Sequence, residues 1–144
     1  MFERILVPLD GTPNAEQALR AATSIARASG AHVHLATVLM PPLMELPELP
    51  YEASLGEVEA DYLEATAARV QAAGVPGVST KLLRAYDVTG ALEEHRSQVG
   101  AGLTVMASHG RGAVERAWLG SVADRFVRTS EAPVLCSCPS TGPS

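Results

Sequence analysis

Short apolar runs alternate along the chain with longer stretches in which apolar residues recur every three or four positions. The short runs are typical of buried strands and predict strands at 5–7, 31–39, 78–85, 102–107 and 134–136. The longer stretches are typical of amphipathic helices and predict helices at 13–29, 51–73, 88–99 and 121–129. Because strand and helix alternate throughout, the pattern predicts an α/β fold, a doubly wound open sheet of parallel strands with helices on both faces.

Prolines interrupt this pattern after the second predicted strand. Residues 40–50 read MPPLMELPELP, and their four prolines exclude a helix or a central strand. An extended connecting loop is the first interpretation of this segment, and a proline-rich ligand for a partner domain is the second. The C-terminal segment 139–144 is expected to be a disordered tail, which leaves one predicted domain at 1–138.

Composition and charge exclude several classes of protein. Hydrophobic residues make up 47% of the 144 residues, which excludes a disordered chain. The formal net charge of -5 argues against binding to nucleic acid, and no apolar run reaches the roughly 20 residues of a membrane span. No segment has the pattern of a signal peptide, and the only cysteines are Cys136 and Cys138. We therefore expect a cytoplasmic domain without a disulfide framework.

The most informative segment follows the fourth predicted strand and reads ASHGRGAVERAWLGSVADRF. Ligands of open parallel sheets bind outside the carboxyl ends of the strands. Gly110 and Gly112 let the backbone approach a ligand closely, while Ser121 and Asp124 predict a capping-box variant at the start of the last helix. The free backbone N–H groups and the dipole at that helix start predict an anion site.

Local charge favours a phosphate-bearing ligand at the same place. Between 107 and 128, four arginines stand against two acidic residues, so this segment carries +2 in a chain of -5. The alternative is a glycine loop that only turns the chain, with its arginines on a solvated face. The chain has no P-loop, no GxGxxG after the first strand and no GxSxG, HExxH or zinc pattern, so we predict neither catalytic residues nor metal ligands.

Two segments resemble the universal stress protein family. ERILVPLDGTPNAEQAL is similar to the family's first strand, acidic turn and helix, and VMASHGRGAVERAWLGSVADRFVRTSEAPVL is similar to its signature region. In the nucleotide-binding branch, this region carries a glycine, two residues, a glycine, nine residues and then Gly-Ser or Gly-Thr. Gly110, the nine residues 111–119 and Gly120-Ser121 match, whereas Ala107 stands at the leading glycine. The resemblance extends over about 1–138.

The resemblance implies a five-stranded sheet of order 3-2-1-4-5 and, commonly, a homodimer through the last strand at about 133–138. It also implies an adenine-nucleotide site formed by Pro8, Asp10, Val38, Ala107, His109, Gly110, Arg111, Gly112, Gly120, Ser121 and Val122. The first four would lie around the adenine and ribose, the next four would wrap the phosphates through backbone groups, and the last three would close the phosphate site. For the carboxylate of Asp10, the alternative role is to cap the following turn.

These observations predict a universal stress protein that binds ATP, with or without Mg²⁺, and acts as a stress-response sensor or regulator. ADP and AMP remain alternatives, because the predicted phosphate site consists of backbone groups. A dimeric interaction module that binds no nucleotide is favoured by Ala107 and by Tyr86, which stands where the family has a small glycine. A slow ATP hydrolase or self-phosphorylating protein is a further alternative. Cys136 and Cys138 are interpreted as ordinary strand residues, with a redox-sensitive dimer as the alternative.

Overall fold

The computed structural model of the chain describes residues 2–11, 13–39, 51–107 and 119–137. The strands are Arg4–Pro8 (β1), His32–Leu39 (β2), Val78–Arg84 (β3), Leu103–Ala107 (β4) and Val134–Ser137 (β5). The helices are Pro13–Ser29 (α1), Tyr51–Ala72 (α2), Val88–Val99 (α3) and Leu119–Thr129 (α4). All these bounds lie within two residues of the predicted ones. The proline-rich segment 40–50 and the tail 139–144 lie outside the described residues.

The five strands form one parallel sheet in the order β3-β2-β1-β4-β5, as the resemblance implied. The chain adds β2 and β3 on one side of β1, and then crosses to add β4 and β5 on the other side. This reversal places a topological switch point between β1 and β4. The carboxyl ends of β2, β1 and β4 therefore lie side by side at one edge of the sheet.

The helices pack on pairs of strands and bury the centre of the sheet. Helix α1 packs mainly on β1 and β4, α2 on β2 and β3, α3 on β1 and β2, and α4 on β4 and β5, and α3 and α4 also contact each other. Every residue of β4 is buried, as are all but the first residue of β1. A near-continuous apolar strand is what a parallel sheet covered on both faces requires.

Small side chains let α1 approach the sheet closely. Four alanines at helical spacing, Ala15, Ala18, Ala22 and Ala26, are at most 2% exposed. The largest fully buried side chain among the described residues is Phe126 of α4, and aliphatic residues and Met106 fill most of the remaining core. The core is therefore built largely from Ala, Val, Leu and Ile, as the low aromatic content of the sequence predicts. No helix among the described residues is long and apolar enough to span a membrane.

Candidate functional site

The turn after β1 is held in place at the carboxyl edge by hydrogen bonds to β2. The backbone N–H of Leu9 donates to the carbonyl of Ala36 at 2.8 Å, and the Thr37 hydroxyl donates to the carbonyl of Leu9 at 2.6 Å. Gly11 follows with a φ of +81°, a backbone conformation that glycine adopts without strain. The chain thus turns sharply just after Asp10, whose partly buried carboxylate lies at this edge.

The structure brings several of the predicted site residues to the same edge. Pro8 and Asp10 lie at the end of β1, Val38 near the end of β2, and Ala107 at the end of β4. Pro8 is buried, Val38 is 3% exposed and Ala107 is 2% exposed, so these three residues form part of the packed floor beneath the edge. Asp10 is the one of the four that carries an ionisable group.

The start of α4 is the second part of the predicted site. Leu119, Gly120 and Ser121 are the first three residues of the helix, and Val122 is buried at 7% exposure. The predicted capping box was wrong, because Ser121 lies within the first turn and an N-cap residue must precede it. The backbone N–H groups of a first turn have no partner inside the helix, so the anion-binding potential at Gly120 does not depend on that box.

Residues 109–112, which the resemblance assigns to the phosphates, lie outside the described residues. The predicted backbone contacts of His109, Gly110, Arg111 and Gly112 thus remain predictions. So does the contribution of the Ser121 side chain.

Helix α2 contributes two ionisable groups that the sequence analysis did not identify. Burial, and next the charge of Asp10, raise the pKa of the partly buried Glu59 carboxyl. Burial, and next the charge of Glu16, raise the pKa of Tyr62, and the charge of Asp10 raises it as well. The buried Oη of Tyr62 has no hydrogen-bond partner in the described part of the chain. The spacing of Glu59, Tyr62, Thr66 and Arg69 by three or four residues along one helix face was the available signal.

Arg69 joins α2 to α1 beside a groove. Its guanidinium donates to the Glu16 carboxylate at 2.9 Å and to the Thr66 hydroxyl at 3.3 Å. The groove between the two helices has a volume of about 570 Å³ and is lined by residues of α1 from Glu16 to Ser24 and of α2 and its C-terminus from Thr66 to Ala73. None of the predicted site residues that the structure describes lines this groove. It is therefore a feature separate from the carboxyl edge.

Tyr86 and Asp87 follow β3 near the same edge of the sheet. The Tyr86 side chain is 63% exposed and so does not fill the core beneath the edge. Asp87 is the N-cap of α3, and its carboxylate accepts a hydrogen bond from the Gly90 N–H at 3.1 Å.

The cysteines lie at the far edge of the sheet. Cys136 is partly buried in β5, while Cys138 lies outside the described residues. Within the described ranges, no three histidine, cysteine or acidic residues are grouped to hold a metal ion.

Comparisons with known proteins agree with this architecture. A universal stress protein from Burkholderia pseudomallei is 27% identical, with a TM-score of 0.73 over 94% of this chain and 95% of its own. A universal stress protein in complex with cAMP is 24% identical, with a TM-score of 0.73 over 94% and 97% of the two chains. The universal stress protein from Archaeoglobus fulgidus in complex with dAMP is 21% identical, with a TM-score of 0.68 over 92% and 95%.

The search of curated proteins gave no significant match. The model of the universal stress protein family, in contrast, matches residues 1–137, and this range includes every described strand and helix. The match extends over both segments on which the resemblance rested. The chain belongs to the universal stress protein family.

Proposed function

We propose that this protein binds an adenine nucleotide, foremost ATP with Mg²⁺, and acts as a stress-response sensor or regulator. The observation that carries the proposal is that the ends of β2, β1 and β4 lie side by side, with Asp10 as the acidic group at this edge. Open parallel sheets bind ligands at such a switch point. The connection from β4 leads to the first turn of α4.

The two parts of the site have different chemistry, which would orient the nucleotide. The first turn of α4 offers backbone N–H groups and the positive end of a helix dipole, so the phosphates would bind there with Gly120, Ser121 and Val122. Residues 109–112 would wrap the same phosphates through their backbone. A carboxylate repels phosphate but accepts hydrogen bonds from hydroxyl groups, so the ribose would lie near Asp10.

The floor of the site would hold the uncharged part of the ligand. Pro8 and Val38 would lie around the adenine, Val38 largely through its backbone because its side chain is buried, and Ala107 would lie beside the ribose. Complexes of similar structures with cAMP and dAMP support adenine as the base. The backbone character of the phosphate site leaves ATP, ADP and AMP to be ranked by measurement.

A protein of this kind would act mainly by binding. We propose at most weak ATP hydrolysis or self-phosphorylation, because the sequence carries no P-loop, GxSxG or HExxH motif. The buried methyl group of Ala107 supports a second candidate, an interaction module of the same family that binds no nucleotide. Direct binding measurements separate the two candidates.

We also propose that two copies associate through β5. This strand lies at an edge of the five-stranded sheet, and an edge strand is a position at which a strand of a second copy can pair. Leu135 of β5 is 42% exposed and Val127 of α4 is 51% exposed, which supplies apolar surface close to that edge. A partner strand seated on 133–138 would cover both features.

The phosphate site is tested by adding one methyl group at the start of α4. Alanine is about 1 kcal/mol better than glycine inside a helix, so Gly120→Ala should not unfold the protein. We expect it to weaken the binding of ATP with Mg²⁺ at least about tenfold, which corresponds to about 1.4 kcal/mol. Gly102→Ala is the matched control, because among the described residues its added carbon would meet Phe2 alone, at an ordinary 3.5 Å.

Equal affinity of wild type and Gly120→Ala would argue against phosphates at α4. Adenosine should bind more weakly than ATP, because it lacks the groups that the helix start binds. If adenosine binds as tightly as ATP, the phosphate part of the proposal is wrong.

A further inference from the structure

A cluster of basic side chains lies on one face of the sheet, under α3. His32 and His34 are on the same face of β2, with ring centroids 4.5 Å apart. His32 is tied to β3 by a 2.7 Å hydrogen bond between its Nε2 and the Ser79 hydroxyl. The Nε2 of His34, in contrast, is buried and has no hydrogen-bond partner within the described part of the chain.

Helix α3 covers this cluster with a third histidine. The helix packs on β1 and β2, and His95 on its inner face is only 8% exposed. Three basic groups act on the charge of His34, and they are His32 on β2, His95 on α3 and Arg4 on β1. Lys81 on β3 acts on the charge of His95. All these groups are basic. These charges therefore repel a proton added to His34 or His95.

Burial and this basic environment favour the neutral forms of His34 and His95 while α3 is docked. Burial, and next the charge of His32, lower the pKa of His34 from 6.5 to about 4. Burial, and next the charge of Lys81, lower the pKa of His95 below its ordinary value. Docked α3 thus requires two unprotonated imidazoles.

We propose that the pair His34 and His95 is an acid-sensitive switch that releases α3 from the sheet when the protein is acidified. When α3 opens, water reaches both rings and each takes up a proton near its ordinary pKa. Protonation therefore favours the open state. The closed state is fully stable above the ordinary histidine pKa of 6.5 and loses stability as the pH falls from there towards about 4.

The position of α3 gives such an opening a consequence at the carboxyl edge. The helix begins after Asp87, close to where the Ala85 N–H donates to the carbonyl of Leu39 at the end of β2. Release of α3 would therefore loosen the chain next to the ends of β2 and β3. The inference does not depend on which ligand binds at that edge, because opening is measured on the protein alone.

Hydrogen exchange of the free protein tests the switch. Protection factors, corrected for the pH dependence of intrinsic exchange, are measured by mass spectrometry at pH 7 and pH 5. Helix α1 is the internal reference, since Pro13–Ser29 contains no histidine. The full pKa difference of His34 corresponds to about 20-fold more opening at pH 5 than at pH 7, and solvent screening of this partly exposed group reduces the expected change to about tenfold.

Variants locate the effect. In His34→Leu, which removes a ring nitrogen that has no partner, protection of Val88–Val99 relative to α1 should fall less than about threefold between the two pH values. His95→Gln should reduce the pH effect in the same direction and provides the same comparison if His34→Leu does not fold. His32→Gln removes one of the charges that act on His34 but leaves both buried rings in place, so it should reduce the wild-type change only in part.

Two results would overturn the switch. One is a wild-type α3 that loses no more protection on acidification than α1 does. The other is an acid effect that persists at full size in both His34→Leu and His95→Gln, which would place its origin elsewhere in the protein.

Discussion

The carboxylate of Glu93 joins α3 to the connection between α4 and β5, and its removal should destabilise the protein. Glu93 accepts hydrogen bonds from Arg96 at 2.7 and 2.9 Å, from the Ser130 hydroxyl at 2.7 Å and from the Glu131 N–H at 3.2 Å. Arg96 also donates to the carbonyl of Ala101 at 3.0 Å. The Glu93–Arg96 pair thus joins α3 to Ala101 before β4 and to the connection between α4 and β5.

The expected cost follows from the burial of the ion pair. The side chains of Arg96 and Glu93 are 10% and 23% exposed, respectively, so the pair lies close to the interior. Removing one partner of a fully buried pair costs about 3–5 kcal/mol, because the other charge is left without compensation. Water reaches part of Glu93, so we expect Glu93→Ala to lower the free energy of unfolding by about 2–3 kcal/mol.

Urea unfolding at neutral pH measures this cost. The neighbour Glu94 is exposed, and the 3.5 Å contact from Gln98 is a weak hydrogen bond, so Glu94→Ala is the matched control and should change the free energy of unfolding by less than about 0.5 kcal/mol. If Glu93→Ala and Glu94→Ala lowered the free energy of unfolding equally, the Glu93 hydrogen bonds would not be the source of this stability.

Acid should remove the same contribution. Burial alone would raise the pKa of Glu93, but hydrogen bonds from Arg96, Ser130 and the Glu131 N–H outweigh it and hold the pKa below the ordinary 4.5. A carboxyl whose pKa is lowered by folding stabilises the protein above its ordinary pKa and loses that contribution as the pH falls through the lowered value. The difference in unfolding free energy between wild type and Glu93→Ala should therefore shrink below pH 4.5. A difference that stays constant down to pH 3 would contradict this.

Two further predictions concern the cap of α3 and the edge of the sheet. A carbon added at Gly90 would lie 2.5 Å from the Asp87 carboxylate and displace it, so Asp87→Ala should cost about 1 kcal/mol of unfolding free energy in wild type and almost none in a Gly90→Ala background. A full cost in both backgrounds would disprove this coupling. If β5 forms the dimer interface, Leu135→Lys should convert a dimer into a monomer in sedimentation velocity while unfolding free energy changes little. Dimerisation that survives the substitution would exclude this interface.

Much of the fold could be predicted because local sequence signals and tertiary structure agree. Buried strands such as Leu103–Ala107 are short apolar runs, and Pro13–Ser29 carries its alanines at helical spacing. The order of the strands came from the family resemblance, since periodicity alone does not say which strands become neighbours. The start of α4 was placed two residues late, because Gly120-Ser121 resembles a helix start although the helix already includes them.

The candidate site could be predicted only in part. The ends of β1, β2 and β4 were identifiable, because turn residues such as Asp10 and Gly11 follow an apolar run. The influence of Asp10 on the pKa values of Glu59 and Tyr62 could not be predicted, because it depends on how α2 lies beside the end of β1. The histidine cluster was missed for a similar reason. His95 is distant in sequence from His34, and only the packing of α3 on the sheet brings their charges together.

The most direct test of the central claim is a calorimetric titration of the wild-type protein with ATP and Mg²⁺. Mass spectrometry should first show whether nucleotide has been carried through purification. The proposed site at the carboxyl edge predicts saturable binding at micromolar concentration with one nucleotide per chain. The absence of binding heat from protein that also carries no nucleotide would contradict it, and would leave the interaction module without nucleotide as the better account of this chain.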